Sequence, residues 1–424
     1  MTRSTTRDAE MRERAAQVIP GGMYGHESTK WLPDEYPQFF SRASGARIWD
    51  VDDNEYIDFM CAFGPNLLGY NDATIEAAAE RQRRLGDTLT GPSAAMVELA
   101  ERFVALVSHA DWAMFCKNGS DATSMALMVA RAHTGRSKII MARGTYHGSH
   151  TWNTPIKAGI TPEDRANLIY CDYNDPQSLQ DAAAQADGDL AGIFATAFRH
   201  EVFRDQALPD PEYAATARRI CDETGALLVV DDVRAGFRIA RDCSWSVVGV
   251  QPDLSCWGKM IGNGHPISAL LGSDKARAAA QKIFVTGSFW FSAVPMAAGC
   301  ATLDHIRDSD YLERMVRVGT VLRNRLQQQA ASYGYTLRQT GPVQMPQILF
   351  EEDPDFRRGF CWTAEAVKRG VYLHPFHNMF VCAAHTEDDV RRTLEATDAA
   401  FEALRNREPT LGPVEKLAAF AEMR

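Results

Sequence analysis

Between residues 112 and 272 the chain repeats one pattern: a short apolar run, a turn, then a longer stretch in which apolar positions recur every three or four residues. The runs are WAMFC (112–116), KIIMA (138–142), NLIYC (167–171), AGIFAT (191–196), ALLVVDD (226–232), DLSCW (253–257) and PISALLG (266–272). Runs this short and this continuously apolar read as strands covered on both faces, and the helical patterns between them can serve as crossovers. The pattern predicts an α/β fold with a mainly parallel sheet. One crossover carries its own punctuation: Asp210 can cap a helix with Pro211 at its first position, EYAATARRICDET continues it, and Gly225 stops it before the next run.

Outside this stretch the pattern changes. Residues 1–60 hold a short charged helix, a glycine-rich turn (PGGMYGH) and an alternating stretch, ARIWDVDDNEYIDFM, with hairpin character around Asp53–Asn54. Beyond 310 a long helix (311–332), a strand near 347–350, a helix near 362–369 and a last helix capped by Thr386, with Asp389 three residues on, are expected. The chain thus divides into an N-terminal segment (1–60) packing with a small domain, a large domain (61–309) and a smaller α+β domain (310–424).

Composition narrows the function. With 424 residues and 45% apolar content, two cores can form. The net charge of -10, without a basic block, argues against nucleic acid as a partner. Nine cysteines stand singly at 61, 116, 171, 221, 243, 256, 300, 361 and 382, with no C-x-x-C pair, so neither a metal site nor a disulfide framework is expected and a reducing compartment fits. The first residues lack an apolar core of signal-peptide length, and no apolar stretch of about 18 residues follows. A soluble, cytoplasmic protein acting on small molecules, away from membranes, is the expectation.

In an open parallel sheet, ligands sit beyond the carboxyl ends of the strands. Three strand ends here are unusual. After the run at 112–116, Asn118-Gly119-Ser120-Asp121 opens a helix whose free N–H groups could hold a phosphate, or serve as an ordinary cap. After 227–230 come two aspartates, and the period of two places Asp231 and Val233 on one face; that pair suits a flat heterocycle with a protonatable nitrogen, or Asp231 is a cap or ion pair. After 253–257 comes Lys259, alone in an uncharged stretch. An apolar setting lowers a lysine's pKa and frees its amine to attack an aldehyde, although a stem packed in the core with its head in water is equally consistent. Together a phosphate cradle, an anion for a ring nitrogen and an amine for an aldehyde match pyridoxal 5'-phosphate (PLP).

With these residues in place, the chain resembles the class III (ω-type) PLP-dependent aminotransferases of fold type I, in the branch near glutamate-1-semialdehyde aminomutase. The resemblance runs nearly end to end through VIPGGM, GARIWDVDDNEYIDF, FGPNLLGY, NGSDA, GTYHG, VVDDVRAGFR, GKMIGNGHPISALLG and GVYLHPFHNMFVCAAHTEDDV. It implies that Lys259 is the Schiff-base lysine, Asp231 the partner of the ring nitrogen, Val233 and Tyr146 the packing on the two ring faces, and Gly119 and Ser120 the phosphate donors. Ser288, in TGSFWFS, falls where the family has a threonine reaching the neighbouring subunit's phosphate, which implies a homodimer.

Three departures from the family bear on the substrate. Thr196 replaces a glutamate after the run at 191, Ser28 stands nearest to where aminomutases place a carboxylate-binding arginine, and SFWFSAVP brings Phe289, Trp290 and Phe291 toward the entrance. A pocket that loses an arginine and gains aromatic bulk favours a large apolar amine. The resemblance then implies a long-chain aminopolyol, of the hydrolysed-fumonisin kind, as donor and a 2-oxo acid such as pyruvate as acceptor, in a ping-pong transamination. Semialdehyde isomerisation is the alternative. Tyr24, Phe63, Phe289 and Trp290 are the candidate substrate contacts, with His374, His377 and Asn378 on the small-domain side. Arg199 and Arg238 are candidates for the acceptor carboxylate, His147 and His150 for structural hydrogen bonding, and Trp257 for the core.

Overall fold

The computed structural model describes residues 4–417. Near the N-terminus β1 (Phe40–Ser44), β2 (Arg47–Asp50) and β3 (Glu55–Asp58) run as an antiparallel meander. The β2–β3 turn falls at the expected place: Asp53 takes φ +65°, a left-handed conformation that short polar side chains tolerate, and the Asp50 carboxylate accepts the N–H groups of Asp52 and Asn54. β1 escapes the pattern reading because four of its five residues are exposed and no alternation marks them.

The seven apolar runs all become strands: β4 (Trp112–Cys116), β5 (Lys138–Ala142), β6 (Leu168–Cys171), β7 (Leu190–Thr196), β8 (Leu227–Asp231), β9 (Leu254–Trp257) and β10 (Ser268–Gly272). They form one sheet in the order β4-β10-β9-β8-β7-β5-β6. Neighbours from β9 through β6 pair in parallel; β10 runs antiparallel to both β9 and β4. A single reversed strand leaves β4 pointing the same way as β8 and β9. The carboxyl ends of β4, β5, β7, β8 and β9 therefore share one edge.

Both faces are covered, and alternation within β8 shows how. Leu227 and Val229 join one core cluster with helices Gly119–Thr134 and Asp274–Ala280, while Leu228 and Val230 join the other with helix Pro211–Thr224. That last helix is built as its sequence announces: the Asp210 carboxylate accepts the N–H groups of Glu212 and Tyr213, and Gly225 ends it at φ +74°. A continuous cluster of this kind supplies the bulk of the driving force, about 25 cal/mol for each Å² of apolar surface buried.

Beyond 310 come helix Tyr311–Ser332, an antiparallel pair β11 (Leu337–Thr340) and β12 (Gln347–Phe350), helix Arg357–Lys368, strand β13 (Val371–Tyr372) and helix Glu387–Arg407. The last helix carries its capping box, Thr386 with Asp389. β13 pairs in parallel with β3, so the N-terminal meander and the C-terminal region share a four-stranded sheet. All nine cysteines are free and buried. Among the described residues no helix is long and apolar enough to cross a membrane.

Candidate active site

The shared carboxyl edge opens onto a cavity of about 570 Å³ whose walls include Gly119, Ser120, Tyr146, Asp231, Val233 and Lys259. Residues from the ends of β4, β5, β8 and β9, from Gly119 to Lys259, are thereby brought together.

Lys259 begins the short turn after β9 and takes φ +48°, a conformation that costs a side-chain-bearing residue about 1–3 kcal/mol. Its Nζ donates to the Phe63 carbonyl at 2.9 Å. That carbonyl is itself presented by an unusual run: Cys61, Ala62 and Phe63 take φ +47°, +53° and +62° in succession before Gly64 at +112°. The run is held from several sides. The Asp58 carboxylate accepts the N–H groups of Met60 and Cys61 at 2.7 and 2.9 Å, and Arg238 donates to the Gly64 carbonyl at 2.7 Å. Burial, and then the charges of Arg234 and Arg238, push the Lys259 ammonium down to about 7, so its neutral amine is abundant near neutral pH.

Asp231 closes β8, level with Thr196 on β7 and Cys256 on β9. One carboxylate oxygen meets His147 Nδ1 at 2.8 Å and the other accepts the Val233 N–H. The His147 ring is wholly buried and its Nε2 has no hydrogen-bond partner among the described residues. The adjacent aspartate takes the opposite face: Asp232 is fully buried, accepts the Ser244 N–H, and is pushed up to about 6 by burial. The period of two thus separates a site carboxylate from a structural one.

At the other end of the cavity, Gly119 and Ser120 begin the helix Gly119–Thr134, where N–H groups lack intrahelical acceptors. Ser120 Oγ accepts the Ser149 N–H at 3.0 Å. The loop carrying Tyr146–Ser149 lies close over this helix start: a Cβ at Gly148 would come within 2.6 Å of Ser120 Oγ. A Cβ at Gly119 would likewise come within 2.6 Å of Val233, so the glycine keeps room between the helix and the face carrying Asp231 and Val233. A helix-terminus anion cradle, a flat slot beside a carboxylate and a lysine poised to react with an aldehyde all fit PLP.

The other expected residues are placed unevenly. Phe63 lies by the site, its ring edge-on to His26 and His377. Tyr24 is 71% exposed and outside the cavity wall, as are Ser288, Phe289 and Trp290; Phe289 is 65% exposed, while Trp290 packs on the second core cluster. Trp257 is wholly buried. His150 bonds Ser124 Oγ, Thr196 is buried and donates to the Phe198 carbonyl, and Ser28 caps the turn Thr29–Trp31.

Neither expected arginine faces the cavity. Arg238 is buried and donates to the carbonyls of Val381 and Gly64, and Arg199 donates to the Asp205 carbonyl. Arg234 and His200 do line it, and sequence reading passes over both. The available signal was the spacing: Arg234 lies three residues after Asp231, one step beyond Val233 at the same strand end. His374 is buried, while His377 and Asn378 contact Arg234. Separately, Cys61, Cys382 and His385 lie buried within 4.8 Å of one another, but His385 Nδ1 already accepts the Cys382 N–H.

Comparison with known proteins agrees with this geometry. The family profile described as aminotransferase class-III matches residues 32–386. An aminopentol aminotransferase from Sphingopyxis macrogoltabida is 66% identical over 399 residues, covering 94% of this chain and 94% of the relative. A glutamate-1-semialdehyde 2,1-aminomutase from Desulforamulus reducens is 31% identical over 432 residues, covering 95% of this chain and 99% of the relative. The solved structure of the PLP internal aldimine form of the FumI protein of Sphingopyxis sp. MTA144 matches with a TM-score of 0.96 at 64% identity, covering 97% of this chain and 99% of that one.

Proposed function

The chain belongs to the class-III aminotransferases, and on that premise we propose that it moves the amino group of a bulky, largely apolar primary amine to a 2-oxo acid such as pyruvate, in two alternating half-reactions. Its cofactor is pyridoxal phosphate, which when bound supplies an aldehyde to capture the amine and a protonated ring to take up the electrons of a broken C–H bond. Lys259 carries the reading. Its amine, half-buried at the cavity wall and held down to about 7, is suited both to condense with an aldehyde and, once released, to take a proton from the substrate carbon and return it elsewhere.

The other residues hold and tune. Asp231, fixed by His147, keeps a negative charge against the ring nitrogen. The N–H groups of Gly119 and Ser120, with the Ser120 hydroxyl, take the phosphate; Val233 and Tyr146 pack on the ring. Ser288 reaches the phosphate of a neighbouring subunit in a homodimer, and Phe289 and Trp290 meet substrate there, which accords with their place outside this chain's own cavity. Tyr24 joins them at the entrance. The 66% identity to an aminopentol aminotransferase supports a long-chain aminopolyol as the donor.

The test is a panel of amines, a long aminopolyol and small amino acids included, mixed with enzyme, PLP and pyruvate and read as alanine formed. Alanine from the aminopolyol is expected. Alanine from small amines alone would overturn the donor assignment. No alanine from any amine, with interconversion of a semialdehyde and its aminated isomer, would establish the aminomutase reading instead, for which the 31% relative is the supporting observation.

A further inference from the structure

We propose that Arg234 is the residue that receives the carboxylate of the 2-oxo acid, and so divides the two half-reactions between acids and carboxylate-free amines. This rests on the acceptor assignment above and deepens it.

Among the described residues, Arg234 is the one arginine on the wall of the cavity that holds Lys259. Its surroundings are peculiar for a cation. Nη1 donates to Asn378 Oδ1 at 2.6 Å and lies 3.4 Å from His377 Nε2. Both partners are neutral: Asn378 is an amide, and the His377 ring, whose Nδ1 faces the Asn378 carbonyl, is kept from protonation by burial and by Arg234 itself. Among the described residues no aspartate or glutamate forms an ion pair with the half-buried Arg234, although a guanidinium drawn out of water is ordinarily compensated by a carboxylate or by carbonyls. Arg238 shows the second solution, with its guanidinium donating to the backbone carbonyls of Val381 and Gly64.

The remaining donors of Arg234 point the argument to a ligand. Nε and Nη2 make no hydrogen bond among the described residues, yet neither is sealed off as a buried unpartnered atom. Arg234 itself lines the cavity, so these donors are available to a ligand held there. A guanidinium presents Nε and Nη2 as a flat two-donor fork, which matches the two oxygens of a carboxylate. Burial pushes Arg234 down to about 10, which leaves it charged at neutral pH and makes an arriving anion more welcome than it would be in water. The cofactor's phosphate has its own cradle at Gly119, Ser120 and Ser149, and Lys117 is spent on the Pro266 carbonyl. The anion that Arg234 awaits is therefore the substrate's. Long-chain amines carry none, so the acid in the second half-reaction is the partner that fits.

Holoenzyme half-reactions, followed separately through the cofactor's absorbance, test this with pyruvate and with methyl pyruvate, which keeps the ketone and loses the charge. Wild type should prefer pyruvate by about 100-fold in kcat/KM, and Arg234→Gln should collapse that ratio by a similar factor, with Arg234→Lys intermediate. The amine half-reaction should change less than the pyruvate one. Equal reactivity of the two ketones in wild type, or an unchanged ratio in Arg234→Gln, would overturn the assignment while the aminotransferase reading stood. Should the variants fail to take up cofactor, wild type decides alone: propionate should compete with pyruvate and propionamide should not, and equal inhibition by the two would overturn it. If wild type completes the amine half-reaction but no 2-oxo acid restores it, the acceptor assignment itself falls.

Discussion

The carboxyl edge of the central sheet and the segment around residues 283–291 handle their side chains in opposite ways. At the edge, each group finds its place within one chain: Asp231 on His147, Lys259 on the Phe63 carbonyl, Ser120 under Ser149. In the segment, Phe284 is 85% and Phe289 65% exposed, and Ser288 is exposed with them. Exposed aromatic surface of this kind is what the proposed contact with a neighbouring subunit would cover. The contrast separates two tasks. On the proposed reading, chemistry common to every substrate is built on strand ends, whose positions are over-determined by the sheet, while selection among amines is assigned to the exposed segment and a neighbouring subunit.

The first way to break this comparison is Lys259→Ala. Turnover should fall by more than about 1,000-fold, since both the attachment point and the proton carrier are removed, while cofactor can still be retained in the cradle. In wild-type protein freed of cofactor, the rate of PLP attachment should rise with pH through about 7, where Lys259 loses its proton, and not through the ordinary lysine value of 10.5. The sign follows from burial and two nearby cations, all of which favour the neutral amine. A midpoint near 10 would place the lysine in water.

Asp231→Asn comes next, with an expected loss of about 100- to 1,000-fold in both half-reactions alike, because it removes the charge that stabilises the ring in each. Ser288→Ala should weaken cofactor retention by about tenfold, the cost of one hydrogen bond to a charged group, without altering preference among amines. Smallest is Phe289→Ala, which should lower kcat/KM for a long-chain amine by about threefold to tenfold and leave a small amine near its starting value. An equal drop for both amines would move Phe289 out of substrate selection and into assembly.

Much of this site could be read from sequence because its parts sit directly at strand ends. The seven apolar runs became seven strands; Asp231 closes one of them, and Lys259 and Gly119 lie just after two others. The direction of β10 was not legible, since an apolar run has no polarity of its own and only its neighbours β9 and β4 set it antiparallel. The left-handed run Cys61–Ala62–Phe63 was also hidden: no glycine or asparagine announces it, and it is enforced by Asp58 and by Arg238, 174 positions from Gly64. Arg234 was overlooked for a related reason. Its meaning comes from Asn378 and His377, brought to it from 144 and 143 positions away. Arg238 and Arg199 are the sequence candidates for the acceptor carboxylate, and the structure corrects this by directing both to backbone carbonyls. Asp231 and Asp232 show the opposite case, where alternation along one strand suffices to tell a site residue from a buried brace.

The most direct test of the account is to load the purified protein with PLP, reduce with borohydride, digest it and locate the cofactor by mass. The account predicts the label on the peptide carrying Lys259 and its absence from Lys259→Ala. Label on another lysine, such as Lys117 on the same cavity wall, or no covalent label in the wild type, would contradict it.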